Sequence, residues 1–340
     1  MELTPHWLLR GIMNNHSHSI ALVGYASSYA ENEFALLLDN QSEHIQVPRK
    51  LKRYMAPFAI NSLTATTAAL ADLTLTERAK DVGIYTSQTG YSNPFNAEFS
   101  AALPSSSESA EETFKALWLS ARVNPFLITN ALNNNLLGVS GLNWQLNGDA
   151  CAFIRDQFGA FGALQEAMTA IAIGECRLAI VAVGGSSNDP LSQWFDGAES
   201  DITAANLQGA TSLVLASDDW LLEHGKQALA RLTLVASGYD LNAEQLTSLM
   251  THYVKPSQLL SFYIDSGKDK NRALMQGLMS LDMPIQPLNS FTGSDISPSI
   301  ITSIACNLSA LRKQEHVQGI SVNCDQDGFY SFVRIENESL

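Results

Sequence analysis

Two rhythms of apolar and polar positions run along this chain. The first is a set of short, nearly unbroken apolar stretches. Residues 20–24, 82–86, 149–154, 178–183 and 211–216 have the length and β-branched content of strands, and continuous apolar runs suit strands buried on both faces. The second is a set of longer stretches with helical spacing over residues 61–73, 114–137 and 158–173. From about Arg231 a similar series begins again. It comprises strands at 232–237 and 260–265, helices at 243–252, 271–281 and 300–311, and strands near 319–323 and 329–335. Strands alternating with helices throughout predict an α/β chain with mainly parallel sheets. Two such series predict two packed halves, residues 18–230 and 231–340, behind an irregular arm over 1–17. Ser109, in a Ser- and Glu-rich loop, is a plausible helix cap.

The 340 residues give room for a large core without disulfide or metal staples. Only 16% are charged, against about 25% in an average soluble domain. Ser, Asn, Thr and Gln take the place of the missing charge, giving a wet but weakly charged surface that a partner could cover. The 20 basic and 34 acidic residues leave a net charge of −14. The one basic cluster, Arg49, Lys50, Lys52 and Arg53, reads as a solvated turn before a helix, so nucleic acid is disfavoured. Apolar runs fall far short of a membrane span, and the first residues have no signal-type apolar stretch, so a cytoplasmic protein is expected. The four cysteines, Cys151, Cys176, Cys306 and Cys324, have no CxxC spacing. His16 and His18 lack a third ligand beside them. Neither a metal site nor a cofactor is expected.

One turn has the layout that activates a nucleophile: the strand 149–154, then Arg155-Asp156-Gln157, then a helix from Phe158. A helix N-terminus lowers a thiol pKa and stabilises an oxyanion. Cys151, however, lies inside the strand and six residues before the turn, where a small buried thiol in a core strand is the plain expectation. Gln157 holds the turn itself, and glutamine is not a nucleophile.

Residues 148–174, followed by 178–185, resemble the heart of the β-ketoacyl synthases of the thiolase superfamily. In that pattern a Gly, a strand, the catalytic cysteine, a small-residue helix and a Gly-Gly strand end follow in this order, and Gln157 falls where the cysteine belongs. Residues 134–148, 209–216 and 20–25 and the trio Arg53-Tyr54-Met55 also fit. In the second half Tyr263-Ile-Asp-Ser-Gly267 puts Ser266 at the first histidine position. Thr292-Gly293-Ser294 puts Ser294 at the second, and Asn289 stands at the lysine position. None of the seven histidines, at 6, 16, 18, 44, 224, 252 and 316, lies in either turn. The resemblance implies a thiolase-like αβαβα fold of two pseudo-repeated halves with a shortened C-terminal half. It also implies that condensation chemistry has lost its machinery.

Glutamine at the nucleophile position marks two groups of the superfamily, chain-length factors and decarboxylating loading synthases, and the latter keep their histidines. The chain is therefore most similar to chain-length factors of type II polyketide systems, in particular those of bacterial aryl polyene clusters. This implies a heterodimer with an active ketosynthase through the strand before Gln157. It also implies an acyl tunnel whose wall candidates are Phe126, Leu132, Cys151, Phe153 and Phe161. Gln157 would either satisfy backbone groups at a buried helix start or meet a malonyl group. Acyl carrier protein, itself acidic, is expected to dock through the basic partner. A purely stabilising scaffold is the second reading. A free hydrolase using Ser266 or Ser294 ranks last, because neither serine has a base beside it.

Overall fold

The computed structural model describes residues 18–29, 47–55, 59–71, 73, 81–89, 109, 111–112, 115, 129, 132, 134–154, 156–186, 208–255, 257–264, 269–287, 300–313, 317–324 and 328–338. In chain order the elements of the first half are β1 (Ile20–Tyr29), α1 (Arg49–Lys52), α2 (Ala59–Ala69), β2 (Val82–Thr89), α3 (Asn135–Trp144), β3 (Ala150–Ile154), α4 (Asp156–Ala172), β4 (Leu178–Ser186), β5 (Gln208–Ala216) and α5 (Asp218–His224). The second half has β6 (Ala230–Tyr239), α6 (Ala243–Tyr253), β7 (Leu259–Ile264), α7 (Asp269–Met279), β8 (Ile285–Pro287), α8 (Ile300–Lys313), β9 (Gln318–Cys324) and β10 (Phe329–Asn337).

The strands order as β3-β2-β4-β5-β1-β6-β10-β9-β7-β8. Read outward from the β1–β6 junction, each half repeats one topology. In both, the first strand lies antiparallel to the last, the last antiparallel to the fourth, and the fourth parallel to the second and third. The junction is narrow: β1 and β6 share only the pairs Ile20↔Leu232, Ala21↔Arg231 and Leu22↔Ala230.

The apolar runs are buried on both faces, as their continuity requires. In β4, Ala179, Val181 and Val183 face a central core that holds α4 and α8, while Leu178, Ile180 and Ala182 face an outer core with α2 and α5. The second half has its own outer core, where α6 and α7 supply Leu246, Met250, Leu274 and Leu278 against β7 and β9. The result is layered, helices over sheet over central helices over sheet over helices. Residues 300–311 of α8 are all buried, as a central-layer helix must be. Two of its polar side chains are met internally: the Thr302 and Thr211 hydroxyls lie 3.2 Å apart, and Asn307 Nδ2 donates to the Ile320 carbonyl at 2.9 Å.

Several sequence expectations are adjusted. The helix expected over 114–137 lies largely outside the described residues; at its end α3 begins at Asn135 and continues past the expected boundary to Trp144 through Gly138 and Gly141. Tertiary anchoring overrides the glycines' low propensity. Asn135 Nδ2 donates to the carbonyls of Tyr54 and Thr129, and Leu136 and Val139 bury against α2. The basic cluster forms the four-residue α1, its cations exposed and Leu51 buried. Ser109 does cap: its hydroxyl accepts from the Glu112 N–H, and the Glu112 carboxylate accepts from the Ser109 N–H.

Candidate active-site region at the head of helix α4

Strands β2, β3 and β4 run parallel, so their C-terminal ends share one side of the sheet, the side on which ligands bind in layered α/β folds. Helix α4 leaves β3 at that side, and Gln157 is the second residue of its first turn. Small residues let α4 lie close between the sheets. Ala160, Ala163 and Ala167 are fully buried, and a side chain at Gly162 would meet the Phe153 ring at 2.9 Å. The first-turn N–H groups of α4 lack intrahelical acceptors, which is the physical basis of an oxyanion site. A nucleophile is what the turn does not carry.

Among the described residues, strand β3 is the edge of the sheet and bonds only to β2. This corrects the expectation for Cys151, which is not a buried core thiol but a half-buried residue on the edge strand. Cys151 and Phe153 face α4 and pack against the central core. Burial, with the negative charges of Glu166 and Asp149, pushes the Cys151 thiol above its ordinary pKa, the reverse of activation. The start of β3 is held by Tyr85, whose hydroxyl donates to Asp149 Oδ2 at 2.6 Å.

Of the other candidates, Phe161 is 5% exposed in the central core, and Leu132 is 46% exposed just before α3. Phe126, Ser266, Asn289 and Ser294 lie outside the described residues. Among the described histidines, His224 stacks on Trp220 in the outer layer, with ring centroids 4.4 Å apart, and His252 lies in the last turn of α6. His18 precedes β1, on the opposite side of the sheet from the head of α4. Among the described residues no group of three His, Cys, Asp or Glu side chains could hold a metal ion, and no helix is long and apolar enough to cross a membrane.

The structure also assembles a group that no sequence pattern marked. Phe158, the residue after Gln157, meets Phe329 edge-on at 5.2 Å, and Phe161 meets the same ring at 5.5 Å. Tyr239 lies 5.4 Å from Phe329 and 6.3 Å from Phe158. The four rings come from α4, β6 and β10. Glycines before Tyr239 and Phe329 were the local signals, and they are weak because the partners are far apart in the chain.

No protein-family model and no curated protein sequence matches the chain. Solved structures do. A chain of the AntDE:AntF complex, a type II polyketide synthase acyl-carrier protein with its ketosynthase bound to the hexaketide, superposes with a TM-score of 0.71. The match covers 95% of this chain and 100% of that one at 15% identity. A β-ketoacyl synthase from Burkholderia phymatum gives 0.67 over 94% and 99% at 15% identity. The ishigamide ketosynthase/chain length factor gives 0.64 over 94% and 99% at 12% identity. With its repeated half-sheets and central helices, the chain has the thiolase-like fold of the ketosynthases.

Proposed function

We propose that this chain is a non-condensing, chain-length-factor subunit that pairs with an active β-ketoacyl synthase in a type II polyketide system, with aryl polyene synthesis as the pathway class. The observation that carries the reading is Gln157 at the head of α4, in a ketosynthase fold, where the sequence resemblance places the cysteine. A carboxamide cannot take up the acyl group, and the histidine positions fall on Ser266 and Ser294. The condensing cysteine must then belong to another chain.

The edge of β3, open among the described residues, is the surface through which that chain would add. An unpaired edge is an aggregation hazard unless covered. Leu132, Cys151 and Phe153, with Phe126 and Phe161, are the candidates for the wall along which the growing acyl chain extends. The net charge of −14 supports docking of an acidic acyl carrier protein mainly on the partner.

The test is co-expression with a candidate ketosynthase from the same genome, followed by native mass spectrometry and mass analysis of carrier-bound products. A one-to-one complex, with products whose length shifts on substitution of wall residues, is expected. A chain that stays unpaired beside its ketosynthase refutes the reading. Association without any effect on length replaces it with the stabilising scaffold. Gln157→Ala should leave product formation unchanged, and a loss in the intact pair would give the carboxamide a role in malonyl decarboxylation.

A further inference from the structure

The fold brings its two halves together at the head of α4, where Phe158 and Phe161 meet Tyr239 at the end of β6 and Phe329 at the start of β10. The C-terminal ends of parallel strands, where α4 begins, are where an α/β fold takes its ligand. Here Phe329 reaches across from the second half. It is 3% exposed, packed between Phe158 and Phe161 of α4 and its cross-strand neighbour Tyr239. Phe158 and Tyr239 form the outer surface of the group, 45% and 58% exposed.

The backbone holds this arrangement in place. Asp240, just after Tyr239, has the left-handed φ of 58°, uncommon outside glycine, and its N–H donates to the Gly328 carbonyl at 2.8 Å. Gly328 has a φ of 90°, which glycine adopts freely. Two unusual conformations thus lock the ends of β6 and β10 together and fix Phe329 at the first position of β10. Such backbone outliers are retained where the surrounding structure gains from them.

We propose that Phe329, clasped by Phe158, Phe161 and Tyr239, is an aromatic plug that closes this chain's own acyl cleft at the head of α4. Acyl chains are thereby confined to the partner and to the interface. The inference rests on the chain-length-factor reading and adds to it: the head of α4 is silenced by occlusion as well as by the absence of a nucleophile. The excluded ligand is an extended apolar chain.

The test titrates the full-length chain alone with a polyene fatty acid whose fluorescence rises in apolar surroundings. Wild type should show no saturable binding. Phe329→Ala should gain a single saturable site, at least about tenfold tighter than any wild-type signal, because a truncated core ring leaves a dry apolar cavity that takes apolar guests. Phe329→Leu, which keeps most of the volume, should stay closed. Phe158→Ala, at a half-exposed ring, should gain the same site if Phe329→Ala fails to fold. One-to-one binding by wild type, or no gain in a variant that keeps its near-ultraviolet dichroism, overturns the plug. Because no ketosynthase is present, failure here is separate from failure to pair.

Discussion

Replacing Ala152 by proline should separate pairing from folding. In the parallel β2–β3 ladder the Asp149 carbonyl accepts from the Ile84 N–H, and Ile84 is opposite Ala150. Parallel pairing then gives the backbone groups of Cys151 and Phe153 to β2 and turns those of Ala150, Ala152 and Ile154 outward. Proline at Ala152 removes an outward N–H and leaves the inner ladder intact, the one setting in which a strand tolerates proline. In a pair built on this edge, one hydrogen bond worth about 1 kcal/mol is lost and a partner carbonyl is stranded at a cost of about 1–3 kcal/mol. The sum of about 2–4 kcal/mol raises the dissociation constant by roughly 30- to 1,000-fold. Cys151→Pro is the contrast, since it removes an inward N–H and should lower the melting temperature of the chain itself. Dissociation constants come from native mass spectrometry of the co-purified pair, and folding from thermal melts of the chain alone. If Ala152→Pro binds the ketosynthase within about threefold of wild type, the edge of β3 is not the interface.

Three further outcomes are expected. Burial raises the Cys176 thiol from 9.0 to about 11, and pushes Cys306 up as well. Groups raised in the fold stabilise it below their unfolded pKa and lose that contribution as pH climbs, so stability should fall from pH 9 to pH 11. Chemical denaturation should show Cys176→Ala removing about 1 kcal/mol of the loss measured by pH 10, and an unchanged slope would refute this. Gly24→Ala would drive a methyl group onto the Ala69 carbonyl oxygen of α2. It should cost about 1–3 kcal/mol in urea unfolding, and a neutral result would show that α2 can shift. In the co-purified pair, Phe153→Ala should lengthen the carrier-bound product with little change in pairing, and an unchanged product removes Phe153 from the wall.

Much of the fold was legible because the central strands are buried on both faces and leave continuous apolar runs. Leu178–Val183 lies inside β4, and the helix expected over 158–173 is α4 displaced by a turn fraction, at Asp156–Ala172. The misses have local causes. Strand β8 has three residues, too few for any period, and exists because it pairs with β7. Helix α5 carries its own signals, Ser217 accepting from the Trp220 N–H and Gly225 ending it in the left-handed region, but it is seven residues long and short on apolar periodicity. Position Gln157 could be found because strand, turn and helix are consecutive in the chain. The aromatic group between the halves could not, since residues 158, 239 and 329 meet only through tertiary packing. The exposure of Cys151 depends on β3 being an edge, a property of strand order that composition does not carry.

Helix α8, buried from residue 300 to 311, also limits how the chain can be cut. It is encoded in the second half, yet packs on β1 and β5 of the first as well as on β7, β9 and β10. A break between α5 and β6 would leave one fragment with an inner sheet face covered by α4 alone and the other with a helix sheathed on one side only. Neither fragment has a complete core. Supplied together, they have a large apolar surface in common and a short three-pair junction to guide registration. The chain is therefore suited to fragment complementation, with two separately expressed pieces regaining cooperative melting only after mixing.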